Sequence, residues 1–147
     1  MTVRDLMNIV CLHSYQKAVN YAALYKGITP DKEEYCKEML EVYTAFHTFG
    51  MDDNKVSIGW NFEIYEQKGF INEEDLDSEV KDGYWVYTLF TSTDDILFER
   101  FDSKIEAFKH YQQELKSVKA NRREDFTGVV DALFIDTYRN TFVPYVR

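Results

Sequence analysis

Between the opening Thr2-Val3-Arg4-Asp5 and Gly27 the apolar residues recur every three or four positions, the period of a helix. Helical projection puts Met7, Cys11, Ser14, Ala18, Ala22 and Tyr25 on one strip, with Leu6, Ile9 and Leu24 roughly opposite. A helix apolar on two sides is expected to be buried on more than one face. Thr2-Val3-Arg4-Asp5 sets a hydroxyl three residues before a carboxylate, a variant of the capping box, and Gly27 marks the end. Thr29-Pro30-Asp31 then offers an N-cap, a proline for the first helical position and an acid for the positive end of the dipole. The strip that follows, Tyr35, Met39, Val42, Phe46 and Phe49 with Gly50 as C-cap, predicts a second helix. A connection this short predicts an antiparallel helical hairpin.

After Asp52-Asp53-Asn54 the period changes to two. Val56, Ile58, Trp60, Phe62 and Ile64 alternate with less apolar neighbours, which predicts a half-buried strand, with a helix from near Gly59 to Gly69 as the competing reading. Asn72 to Val80 is acidic with Leu76 and Val80 as its anchors, a short capped helix. Tyr84–Thr91 and Ile96–Phe101, separated by Ser92-Thr93-Asp94-Asp95, predict a β-hairpin. Ser103-Lys104-Ile105-Glu106 is a full capping box and opens a helix whose strip is Ile105, Phe108, Gln112, Leu115 and Val118. In the tail, Phe126, Val129, Val130, Leu133, Phe134 and Thr137 fit a helical strip, and helix is the reading taken, although the β-branched run also suits a central strand. Pro144 stops any regular element. The expected architecture is α+β in a single globular domain, residues 1–147: an N-terminal antiparallel helical hairpin, a small antiparallel sheet of about three strands, and one or two C-terminal helices.

Composition narrows the class. With 147 residues, 45% hydrophobic and 29% charged, the chain has the balance of a globular protein and not of a disordered one. No apolar run approaches the ~20 residues of a membrane span, the first residues carry no signal-peptide pattern, and a cytoplasmic protein is expected. Two cysteines are too few for a secreted disulfide framework and match no zinc spacing.

Charge is unevenly placed. Overall it is −9, yet residues 51–102 hold 14 acids and four bases, a local −10, so direct nucleic-acid binding through this region is disfavoured. The basic helix is the one cationic feature: Lys104, Lys109, Lys116, Lys119, Arg122 and Arg123 against Glu106 and Glu114, most simply a solvated face.

Candidate chemistry is sparse. At ~1.5 Å rise per residue, a hairpin turning near residue 28 sets Cys11 and Cys36 ~15 Å out of register, too far for a disulfide. The same arithmetic puts His47 level with Cys11, though helical projection turns the two away from each other, so core packing explains both. Asp52, Asn54 and Glu63 fall at the first, third and twelfth positions of a calcium loop, but Val56 and Ser57 stand where an oxygen ligand and the turn glycine belong. The phosphate-loop, dinucleotide, zinc-protease and serine-hydrolase motifs are absent. No catalytic residue, metal or cofactor is therefore assigned.

The leading expectation is a non-enzymatic interaction protein, an inhibitor or adaptor that binds a basic surface of a protein partner such as a nucleic-acid-processing enzyme. Small phage proteins that block such a groove have comparable size and charge. The contact residues expected are Asp52, Asp53, Glu73, Glu74, Asp75, Asp77, Glu79 and Asp82. Two alternatives stand beside it: a small-ligand or nucleotide-sequestering protein using Tyr84, Trp85 and Tyr87 with the basic helix, and an enzyme with scattered carboxylate or Cys-His chemistry.

Overall fold

The computed structural model describes residues 1–44, 47–52, 54–59, 73–90, 96–122, 129–139 and 141–143. The chain forms two compact units, Met1–Phe46 with Phe70–Glu79, and His47–Gly69 with Val80–Arg147. The class is α+β, as the periodicities predict.

The first unit holds α1 (Val3–Tyr25), α2 (Lys32–Thr44) and α3 (Glu73–Leu76). Thr2 caps α1 with the reciprocal pair expected of it: the Asp5 amide donates to Thr2 Oγ1 at 3.2 Å, and the Thr2 amide donates to Asp5 Oδ2 at 2.8 Å. The helix ends one residue earlier than Gly27 suggests, because Lys26 itself takes the left-handed conformation, φ 56°, and its N–H closes on the Ala22 carbonyl. Val3, Leu6, Met7, Val10, Cys11 and His13 are buried, so the first half of α1 is enclosed on more than one side as expected.

Two hairpin expectations are corrected. Counting equally from a turn near residue 28 would set Tyr35 level with Tyr21, whereas its ring lies against Tyr15 with centroids 5.8 Å apart. The connection Gly27–Asp31, which has no regular structure, takes up more of the return than equal counting allows, so α2 begins alongside α1 and not level with its end. The second helix also stops at Thr44, and His47–Asp52 is strand β1. His47, Thr48 and Phe49 are as acceptable in a strand as in a helix, and pairing across the Asp52-to-Lys55 turn satisfies their backbone groups in a sheet.

The second unit is one antiparallel sheet of six strands, more than the three expected. With β2 (Lys55–Gly59), β3 (Tyr84–Phe90), β4 (Ile96–Phe101), β5 (Val129–Asp136) and β6 (Thr141–Val143), the spatial order is β1-β2-β4-β3-β5-β6. The predicted hairpin is the β3–β4 pair, in register from Tyr84 opposite Phe101 to Leu89 opposite Ile96. The predicted strand over residues 56–64 is present as β2, and its part beyond Gly59 lies outside the described residues.

The tail is corrected from helix to strand. Val129–Asp136 pairs with β3 along its length, and its β-branched and aromatic side chains are better accommodated on a pleated surface than on a helix. Helix α4 (Lys104–Arg122) crosses from β4 to β5. It packs Ala107, Tyr111 and Val118 on Val86, Ala132 and Phe134. This too departs from the expected strip: Ile105 is 70% exposed and Phe108 stands at the margin, because the small Ala107 and the broad ring of Tyr111 face the sheet instead. Register puts Trp85, Tyr87, Phe98, Ile96, Val56, Ile58, Leu133 and Ile135 on the opposite face, and all are buried. Each such side chain contributes about 1.5–3 kcal/mol on leaving water.

Candidate interaction surface

The acidic segment is short and firmly tied. Glu73–Leu76 makes little more than one helical turn, so its position depends on tertiary anchors and not on helix stability. Leu76 and Val80 are buried at 2% and 5%, the two anchors the sequence offers. The Val3 amide donates to the Ser78 carbonyl at 3.1 Å, and Thr2 forms an isolated antiparallel bridge with Glu79. Ser78 closes the turn by donating its Oγ to the Glu74 carbonyl at 3.0 Å and its amide to the Asp75 carbonyl at 3.2 Å.

On this fixed backbone Glu74, Asp77 and Glu79 are exposed, and Asp75 is half-buried. Asp77 Oδ1 accepts from Arg4 Nε at 3.2 Å, and Glu79 Oε2 accepts from the N-terminal ammonium at 3.3 Å. Both carboxylates remain mostly in water, 64% and 77% exposed, so these pairs contribute at most ~1 kcal/mol each. Two acids assigned as free contacts therefore also hold the N-terminal turn of α1. Glu73 opens α3, and its side chain is outside the described residues, as is Asp53.

Asp52 and Asp82 belong to the sheet unit. Asp52 ends β1 opposite Lys55, and Asp82 is exposed just before β3. What organises this end of the sheet is Arg100, which the sequence reading passed over as one of four bases in an acidic region. Its Nε donates to the Asp82 carbonyl at 2.8 Å, its Nη1 to Asn54 Oδ1 at 3.1 Å, and its Nη2 meets Asp102 Oδ1 at 2.8 Å. The Arg100 amide adds a bond to the Asn54 carbonyl at 2.8 Å. The side chain is only 3% exposed. Its signal was the alternation Ile96, Phe98, Arg100, which places a guanidinium on an otherwise apolar face and so requires polar partners.

Gly83 is needed beside it. A Cβ there would stand 2.5 Å from Arg100 Nε, and the glycine amide and carbonyl are both bonded to Thr137 Oγ1, at 2.7 and 2.9 Å.

The densest titratable group away from these acids is Glu99, His110 and Glu114. His110 Nε2 lies 3.5 Å from Glu99 Oε1 and 3.7 Å from Glu114 Oε1, with Phe101 against the imidazole at 5.3 Å between centroids. Among the described residues no three His, Cys, Asp or Glu are placed to hold a metal ion. Burial raises the Glu114 carboxyl above its ordinary value, with Glu99 adding to the shift and His110 opposing it. The folded chain thus holds that proton more tightly than the unfolded one. The stability this brings is full below the ordinary carboxylate range and is lost as pH rises through the folded value. The thermal midpoint of wild type is therefore expected to lose this contribution from about pH 4 upward, and Glu114→Gln should flatten that fall. Parallel curves for the two proteins would contradict the burial assignment.

The sulfur chemistry is likewise muted. Cys11 and Cys36 are both free thiols, and His47 stands in β1 and not on α2, so the helical count that set it level with Cys11 does not apply. Burial, helped by Cys36, pushes the Cys11 thiol up to about 12. The Tyr15–Tyr35 ring contact sets α2 further back along α1 than equal counting from residue 28, so the out-of-register estimate for the two cysteines does not hold. Alkylation after denaturation without reductant should modify two thiols, and alkylation of the folded protein should modify Cys36 well before Cys11. Equal rates would mean that α1 is not buried at Cys11.

Comparison with protein families, curated proteins and solved structures finds no match to this chain. The chemistry must then be read from the residues themselves. Trp85 and Tyr87 are buried, so of the three rings expected to stack on a ligand Tyr84, half-buried, is the one with exposed surface. On α4, Lys104, Lys109, Lys116 and Lys119 are exposed, a solvated basic face, and Arg123 lies outside the described residues. No helix among the described residues is long and apolar enough to cross a membrane.

Proposed function

We propose that this is a non-enzymatic interaction protein, an inhibitor or adaptor that engages a basic surface of a protein partner through Glu73, Glu74, Asp75, Asp77 and Glu79. The carrying observation is the pairing of exposed carboxylates with an anchored backbone: Glu74, Asp77 and Glu79 face water while Leu76, between them in the chain, is buried and the Val3 amide holds the Ser78 carbonyl. A preorganised charged surface pays little ordering entropy on binding, and clustered like charge accelerates encounter with an opposite field. A partner with a cationic groove, such as a nucleic-acid-processing enzyme, supplies the complementary chemistry.

Replacing Glu73, Glu74, Asp75 and Asp77 by Gln or Asn should change stability by less than about 1 kcal/mol, since these are surface or helix-terminal charges. Affinity for the partner should fall more than tenfold, a loss above ~1.4 kcal/mol, mainly through a slower, less salt-sensitive on-rate. The check is affinity capture from a native lysate with both proteins as bait, followed by association kinetics at several salt concentrations. A stoichiometric partner retained equally by the neutralised bait would sink the proposal.

A further inference from the structure

Burial along α1 thins after His13, and Ala22 is the one buried residue of its last turns. Its first half is enclosed, but in the last turns Tyr21, Leu24 and Tyr25 are 66%, 67% and 64% exposed, and Ile28 just beyond is 95% exposed. Tyr21, Leu24 and Tyr25 fall at the three- and four-residue intervals of one helical face, and Ile28 follows in the irregular connection. The Tyr21 and Tyr25 rings lie 4.5 Å apart, so they form one continuous apolar surface. Isolated exposed apolar residues need no explanation, whereas a contiguous group marks a contact surface.

The neighbouring helix is short of packing in the same way. Among the side chains described in α2, residues 32–41, none is buried, and Tyr35, Cys36, Met39 and Leu40 are half-exposed. A helix of 13 residues is marginal in water by itself and draws its stability from packing an apolar face. The edge contact of Tyr35 on Tyr15 covers only part of that face. Both helices of the hairpin thus present apolar surface that one copy of the hairpin leaves open.

Charge identifies what covers it. Residues 14–28 contain Lys17 and Lys26 and no carboxylate, while residues 31–41 contain Asp31, Glu33, Glu34, Glu38 and Glu41 against Lys32 and Lys37. The end of α1 is cationic and α2 is anionic. A two-fold rotation that lays α1 of one copy on α2 of another satisfies both patches twice, in the self-complementary manner of an isologous interface. An anionic lipid surface would instead meet Asp31 and the four glutamates that follow it on α2.

We propose that Tyr21, Leu24, Tyr25 and Ile28 form the centre of a symmetric interface between two copies of this chain, in which the paired hairpins complete a four-helix arrangement.

The test is sedimentation equilibrium of the full chain over a wide concentration range. Wild type should approach twice the 17.5 kDa of the monomer. Leu24→Glu with Ile28→Glu should weaken dimerisation at least about thirtyfold, the effect of losing one central apolar anchor. Both positions are exposed, so far-ultraviolet circular dichroism should be unchanged, and Tyr25→Ser supplies a milder variant with the same direction. A charge exchange makes the test specific to a second copy. Lys26→Glu should weaken the dimer, and so should Glu33→Lys with Glu34→Lys, while an equimolar mixture of the two variants should associate. A monomer at every concentration overturns the proposal, as does a dimer indifferent to Leu24 and Ile28. A monomer that co-sediments with phosphatidylcholine vesicles through this patch would overturn it in favour of a lipid surface.

Discussion

Replacing Arg100 with alanine is expected to lower stability by about 3–5 kcal/mol, the range for removing one member of a buried charged network. The guanidinium is nearly inaccessible, and it ties two pieces of chain remote in sequence, the turn at Asn54 and the approach to β3 at Asp82, to the end of its own strand, where it also meets Asp102. Hydrogen bonds from a charged donor contribute about 1.5–3 kcal/mol each, and truncation leaves Asn54 Oδ1 and the Asp82 carbonyl without this donor. Asp102 is 86% exposed and regains water, which limits the loss from that pair. Lysine should not rescue, because one ammonium cannot reproduce the planar fork that reaches three acceptors at once. Urea unfolding of Arg100→Ala and Arg100→Lys should show lowered midpoints at unchanged slope. Wild-type midpoints in both would mean that the sheet end is held by its strand register alone. Gly83→Ala tests the same junction from the other side, since its methyl group would collide with Arg100 Nε.

Trp85→Ala should cost a comparable ~3–5 kcal/mol, the usual range for a buried aromatic truncated to alanine. Trp85 is fully buried on the central strand, opposite Arg100 on β4 and Ile135 on β5, so no single neighbour can collapse into the space it leaves. Its indole Nε1 also donates to the Lys81 carbonyl at 3.1 Å, fixing the chain just ahead of Asp82 and Gly83. Trp85→Phe retains most of the apolar volume but loses that donor, so its loss should be distinctly smaller than that of alanine. Equal losses would assign the whole effect to the hydrogen bond, and a negligible loss from Trp85→Ala would place the residue outside the core. Loss of stability in this variant bears on the sheet, whereas neutralising Glu73, Glu74, Asp75 and Asp77 tests the proposed contact at little cost to folding.

The elements legible in the chain were those whose signals are local. The Thr2 and Ser103 caps, the β3–β4 hairpin and the short helix held by Leu76 and Val80 each follow from neighbours within a few residues. Backbone hydrogen bonding and side-chain direction at such spacings hardly depend on the rest of the molecule. The acidic character of residues 73–82 was equally plain, and the exposure of Glu74, Asp77, Glu79 and Asp82 agrees with it.

The sequence by itself also determined the α+β class, through a period that changes from helical to alternating after Asp52. Only the tertiary structure decided where ambiguous segments went. His47–Asp52 and Val129–Asp136 satisfy helical spacing and strand composition alike, and each became a strand because a neighbouring strand offered its backbone partners. The same holds for α4, whose buried face was decided by which side chains fit the surface of β3 and β5, with Ala107 and Tyr111 inward and Ile105 outward. Arg100 shows the limit most directly: its acceptors lie 46 and 18 residues away along the chain, and a contact that long-range has no local period to announce it.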